Sequence, residues 1–172
     1  NFAGDTLFQT DYDTLAGAGP GPTAIDVHGN VILSKYFQVG LQSGNNDCTV
    51  SRYDTSGNLS WSVTLPDSAS VWRDYITGVY GDSSGCTYVL SSQNFNLQST
   101  HSGNIFLRKF DSFGNLIWLH SWTGNDPLGT SNGIFCNVQG LTLHIFGDTS
   151  VWVMGNVCDM FENANAFVVK LD

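Results

Sequence analysis

Charge is scarce in this chain. Of its 172 residues only 12% are Asp, Glu, Lys or Arg, about half the usual share, so the polar surface must be built from Asn, Ser, Thr, Gly and Gln. Basic residues are the rarest: six Lys plus Arg stand against fifteen Asp plus Glu, for a net charge of −9. No basic stripe exists, which argues against nucleic acid as a partner, since neutralising phosphates takes clustered cations. Glutamate occurs once, at Glu162, so paired glutamates for glycoside hydrolysis are excluded while paired aspartates are not. No apolar run approaches the roughly 20 residues of a bilayer-spanning helix, and membrane insertion is not expected. Helical patterning is nearly absent too. No stretch carries apolar residues at three-and-four spacing behind a capped start, and 19 glycines interrupt every candidate.

Catalytic signatures are scarce. There is no His-Glu-x-x-His, and His28, His101, His120 and His144 are scattered along the chain. A Ser-His-Asp set assembled by the fold stays open, but nothing in the sequence assigns one. Asp54-Thr55-Ser56-Gly57-Asn58 shares part of a calcium loop's pattern without its further carboxylates or its distal glutamate. Turn formation explains these aspartates better. No catalytic residue, metal or cofactor is therefore expected.

What the chain does have is hydrophobic and aromatic content, 41% and 13%, enough for one folded domain of ordinary size. Its organising unit is Phe110-Asp111-Ser112-Phe113-Gly114-Asn115-Leu116-Ile117-Trp118, which reads as strand, tight turn, strand. Ile105 to Phe110 is apolar and β-prone, Asp111 can bond its side chain to the backbone ahead of it, and Gly114-Asn115 tolerate positive φ. The unit occurs earlier as Tyr53-Asp54-Thr55-Ser56-Gly57-Asn58-Leu59-Ser60-Trp61. A third copy is divided between the chain ends. Ala166-Phe167-Val168-Val169-Lys170-Leu171-Asp172 matches the incoming strand, and Asn1-Phe2-Ala3-Gly4-Asp5-Thr6-Leu7 matches the turn and the outgoing strand, with Ala3 inserted. Joined tail to head, three copies tile the chain with nothing left over.

A second turn checks this phase. Asp26-Val27-His28-Gly29-Asn30 runs into Val31-Ile32-Leu33, recurs as Asp82-Ser83-Ser84-Gly85-Cys86 before Thr87-Tyr88-Val89, and returns more loosely from Asp148 to Gly155. Each repeat thus carries four short strands, the pattern of a propeller blade at about 40–50 residues or slightly more. The Asp-x-x-Gly-Asn-hydrophobic turns, with Trp soon after the second, resemble the SBBP family of β-propeller repeats over essentially the whole chain. The resemblance implies an all-β, propeller-like fold of three four-stranded antiparallel blades, at about residues 23–65, 75–122 and 133–172. The last blade is completed by an N-terminal strand, 5–11, of the same or a neighbouring chain. Gly17–Pro22 reads as a connection after an outer strand Thr6–Leu15; Pro66–Asp74 and Thr123–Asn132 take the same place in the other repeats.

Three blades are fewer than the four to eight with which propellers close, and a blade lacking its outer strand leaves an edge that invites another chain. Residues Asp5, Thr6, Leu7, Phe8, Gln9 and Thr10 of one copy can pair beside Phe167, Val168, Val169, Lys170 and Leu171 of another. Such a head-to-tail contact makes a ring if the rotation closes and a filament if it does not. An excised piece of a longer repeat chain, with the joint covalent, is the third case. The expected function is that of a non-enzymatic extracellular structural protein that self-assembles; the alternative is a lectin-like propeller that binds glycans.

Cys48, Cys86, Cys136 and Cys158 lie in no Cys-x-x-Cys or Cys/His cluster, so zinc is not expected. Cys48 with Cys158 between successive subunits and Cys86 with Cys136 within one chain are candidate disulfides, four buried thiols being the other case. Asn58-Leu59-Ser60 is a glycosylation sequon on a hairpin tip, and the chain opens at Asn1 without Met; both accord with a secreted or cell-surface protein. Trp61 and Trp118 share one repeat position and are expected to pack between blades. Trp72, outside the motif, is the candidate ligand platform.

Overall fold

A computed structural model describes residues 19–38, 46–65, 73–94, 104–122, 139–146, 150–158 and 164–171. Within them the protein is all-β, with eleven strands: β1 (Gly19–Ile25), β2 (Val31–Gln38), β3 (Asn46–Tyr53), β4 (Leu59–Thr64), β5 (Arg73–Gly81), β6 (Thr87–Asn94), β7 (Asn104–Phe110), β8 (Leu116–Trp122), β9 (Gln139–Phe146), β10 (Ser150–Cys158) and β11 (Ala164–Leu171). Consecutive strands pair antiparallel to make sheets of four, four and three. A single parallel bridge, Asn46 to Arg73, joins the first sheet to the second. The first strands of the three sheets lie side by side, β1 beside β5 and β5 beside β9. No sheet closes on itself among the described residues.

Four hairpin turns have one chemistry. Asp26, Asp54, Asp82 and Asp111 each accept through Oδ1 from the backbone N–H two and four residues on, at 2.8–3.0 Å. The glycine three residues on donates to the aspartate carbonyl, and the aspartate N–H donates to the carbonyl four residues on. Gly29, Gly57, Gly85 and Gly114 take φ of 82–85°, the left-handed position that ends a three-residue hairpin loop. In three turns the fifth residue adds a side-chain bond: Asn30, Asn58 and Asn115 donate Nδ2 to the same aspartate's Oδ2 at 2.9–3.0 Å. In the turn where Cys86 replaces Asn, the Ser84 hydroxyl donates to Asp82 Oδ1 instead, at 2.7 Å.

Each sheet has alternate side chains on its two faces, and two cores form where successive sheets meet face to face. Between the first and second sheets lie Ile32, Cys48, Val50 and Trp61 on one side and Ile76, Val89 and Phe110 on the other. Between the second and third lie Tyr88, Leu90, Ile105 and Leu107 against Val151, Val153 and Phe167. The second sheet is therefore covered on both faces, and β6 is buried from Thr87 to Ser92. Close approach at the first strands needs glycine on β5. A Cβ at Gly81 would stand 2.6 Å from Asp26 Cβ, and one at Gly78 would stand 3.0 Å from Leu143 Cβ.

Two connections are shorter than the sequence suggests. Arg73 and Asp74, expected at the end of the second connection, open β5, and Gly19–Pro22, also expected in a connection, belongs to β1. The strand tolerates its prolines because β1 is the edge of its sheet and its pairing with β2 shifts between Pro20 and Thr23. Gly21 leaves room there for the Ser34 side chain, whose hydroxyl donates to the Pro22 carbonyl at 2.6 Å.

Candidate assembly edge and inter-sheet joint

The third sheet ends where the other two continue. β11 pairs along its length with β10, from Val151–Leu171 to Cys158–Ala164, and no described strand lies on its other side. In the first and second sheets the same edge, that of β3 and of β7, carries a fourth strand, β4 and β8. Phe167, Val168, Val169, Lys170 and Leu171 thus lie on an edge strand. Phe167 is buried toward the second sheet, while Val168 and Lys170 are exposed on the opposite face. The proposed pairing partners, Asp5 to Thr10, lie outside the described residues.

The joint between the first two sheets has a charged centre. Arg52, two residues before Asp54 on β3, is buried and donates Nη2 to Asp26 Oδ2 at 2.5 Å, while Nη1 donates to the Gly85 carbonyl on the turn of the next sheet. Burial pushes the Asp26 carboxyl up, but the hydrogen bonds from Asn30 and His28 and the nearby Arg52 guanidinium outweigh it and hold its pKa below the ordinary value. His28 Nε2 adds a second crossing to the Ser83 carbonyl at 2.9 Å. In the second sheet the equivalent cation is Lys109, two residues before Asp111. Its Nζ stands 3.6 Å from Asp82 Oδ2 and 4.7 Å from the centre of the Tyr88 ring. Asp82 also sits below its ordinary pKa: burial raises it, and the bonds from Ser84 and Cys86 together with Lys109 lower it further. In the third sheet Lys170 lies over Trp152 at 6.0 Å. Three of the chain's six cations therefore recur at one motif position. That regularity was legible in the sequence and is the signal that would have found the joint.

The paired tryptophans differ in surroundings. Trp61 is 7% exposed. It lies 6.0 Å from Phe110 and so close to the next sheet's outer turn that a Cβ on Gly114 would stand 2.9 Å from its ring. Trp118 is half-buried, edge-on to Tyr88 at 5.9 Å and to His120 at 5.0 Å, and His120 stacks on Trp122 at 6.3 Å. These three rings form a stripe along β8.

The remaining candidates are dispersed. Cys48 is buried on β3 and Cys86 is half-buried in the β5–β6 turn, with Ser84 Oγ 3.3 Å from its sulfur. Cys158 ends β10 in the third sheet, and Cys136 lies outside the described residues. Asn58 is exposed on the β3–β4 turn. Trp72 and His101 lie outside the described residues. Among those described, no group of His, Cys, Asp or Glu is placed to hold a metal ion, and no helix is long and apolar enough to cross a membrane. Compared with models of known protein families and with curated proteins, the chain matches none.

Proposed function

We propose that this chain is a non-enzymatic extracellular structural protein whose sheets are propeller-like blades of the SBBP type, joined head to tail by strand complementation into a filament or ring. The observation that carries the reading is the outer edge of β11, where no described strand lies although the two preceding sheets hold a fourth strand. The sequence that would fill that place, Asn1 to Thr10, stands at the other end of the chain. A strand from a neighbouring copy satisfies the edge's backbone groups and fixes register through alternate side chains. The outer turns after Asp54 and Asp111, held by their own hydrogen bonds and the first carrying the Asn58 sequon, suit a surface rich in polar but weakly charged groups.

Light scattering and negative-stain electron microscopy of the purified protein test this. Assemblies larger than one chain are expected, and they are lost when residues 1–11 are deleted. A wild-type protein that stays monomeric, or assemblies untouched by the deletion, would overturn the reading.

A lectin-like function is the second reading, and the half-exposed stripe of Trp118, His120 and Trp122 favours it, since aromatic faces stack on sugar rings. Glycan binding that is lost in Trp122→Ala would support it; an empty glycan screen would remove it.

A further inference from the structure

We propose that copies of this chain meet face to face as well as edge to edge. The exposed face of the third sheet docks on the exposed face of the first sheet of a second copy, repeating a joint that the chain already builds twice. The proposal rests on the self-assembly reading and names the surfaces that assembly uses.

Each of the two internal joints sets the forward face of one sheet against the rear face of the next. The motif positions used are the same. Forward, it is the residue across from the cation (Ile32, Tyr88), joined at the first joint by the cation itself, Arg52. To the rear, they are the residue just after the first of these (Val89 in the second sheet, Val153 in the third) and the residue just before the second aspartate (Phe110, Leu171). The outer sheets keep one unused half each. On the forward face of the third sheet stand Trp152, Met154, Val168 and Lys170, with Phe146 beside them. Phe146 is 62% exposed and Val168 is 56% exposed, whereas Leu107, the counterpart of Val168, is fully buried by the third sheet. On the rear face of the first sheet stand Ile25, Val31, Leu33 and Tyr53. Ile25 is 72% exposed, while Phe110, the counterpart of Tyr53, is 3% exposed. Among the described residues, neither face belongs to a core cluster.

The polar elements complement as the apolar ones do. Arg52 crosses the first joint to the Gly85 carbonyl. Lys170 holds the same motif position, and the counterpart of Gly85 in the first sheet is Gly29, exposed at its turn. In the joint between copies Lys170 meets the Gly29 carbonyl, as Arg52 meets that of Gly85 at the first internal joint. One departure has a geometric consequence. Where the second sheet has Gly81 against Ile32, the copies bring Ile25 against Trp152, so the first strands stand farther apart between copies than within one. Because forward meets rear, the contact is heterologous and propagates unless its rotation closes.

The test uses two exposed-face variants of the full chain, Val168→Glu and Ile25→Glu, in sedimentation velocity alone and mixed in equal amounts. Each variant alone is expected to stay monomeric, because one of its two faces is spoiled. The mixture retains one intact pair of faces and is expected to form a two-chain complex, which also proves both variants folded. Wild-type assembly by either variant, or a mixture that stays monomeric, overturns the proposal. The chain lacking residues 1–11 separates this from strand complementation. Should it assemble while the face variants do not, edge pairing fails and face docking stands. The reverse result leaves edge pairing standing and removes face docking.

Discussion

The β3–β4 and β7–β8 hairpins are built from one motif and are worth different amounts to the fold. Both turn through an aspartate that caps its own loop, both place a cation two residues ahead of it, and both set a tryptophan across from that cation. In the first hairpin the tryptophan is sealed by the outer turn of the second sheet and the arginine reaches over to the next sheet's inner turn. In the second hairpin the tryptophan keeps an open side, and the described partners of the lysine, Asp82 and Tyr88, belong to its own sheet. A motif residue thus takes its energetic weight from the neighbouring sheet, because burial and desolvation, not residue type, set the size of each contact.

The largest expected difference comes from removing the rings. Trp61→Ala should cost about 3–5 kcal/mol, the range for emptying an aromatic site in a core. Trp118→Ala should cost about half as much, since part of that ring is already in water. Urea unfolding of the two variants measures both, and equal losses would break the contrast between the hairpins.

Next come the cations. Arg52→Met strands the buried Asp26 carboxylate and should cost about 3 kcal/mol. Lys109→Met removes a longer, partly exposed pair and should cost about 1 kcal/mol. A Lys109 variant as damaged as the Arg52 variant would mean that the second joint is as tightly locked as the first.

The smallest effect is that of acid. Asp26 and Asp82 both have carboxyls held below their ordinary pKa, so the stability they contribute is fully present above about pH 4, the unfolded value. It is lost as pH falls through the lower, folded values. Thermal melts across that window should show a steeper acid loss in wild type than in an Asp26→Asn variant; parallel curves would remove Asp26 from the acid response.

The turns were almost wholly legible in the sequence. Asp-x-x-Gly-Asn specifies a loop whose bonds all lie within five residues, so Asp26, Asp54, Asp82 and Asp111 could be read without knowing what surrounds them. The side-chain hydrogen bond from Asn30, Asn58 and Asn115 back to the carboxylate lies within the same pattern, although tolerance of positive φ alone already explains an asparagine there. β11 was likewise legible as the third copy of a strand. β1 was not, because Gly-Pro-Gly-Pro signals a loop, and only its position at a sheet edge makes that sequence acceptable as a strand.

By itself, then, the sequence determined the local hairpins, their order and the all-β class, since each depends on period-two patterning and short-range hydrogen bonds. Only the tertiary structure decided which face of each sheet is covered. It placed Val89 and Tyr88, adjacent in sequence, in two different cores, sealed Trp61 but not Trp118, and, among the described residues, left one face of the first sheet and one of the third outside both cores. Those outcomes follow from contacts between distant parts of the chain, and a hydrophobic residue carries no mark of the partner that will bury it.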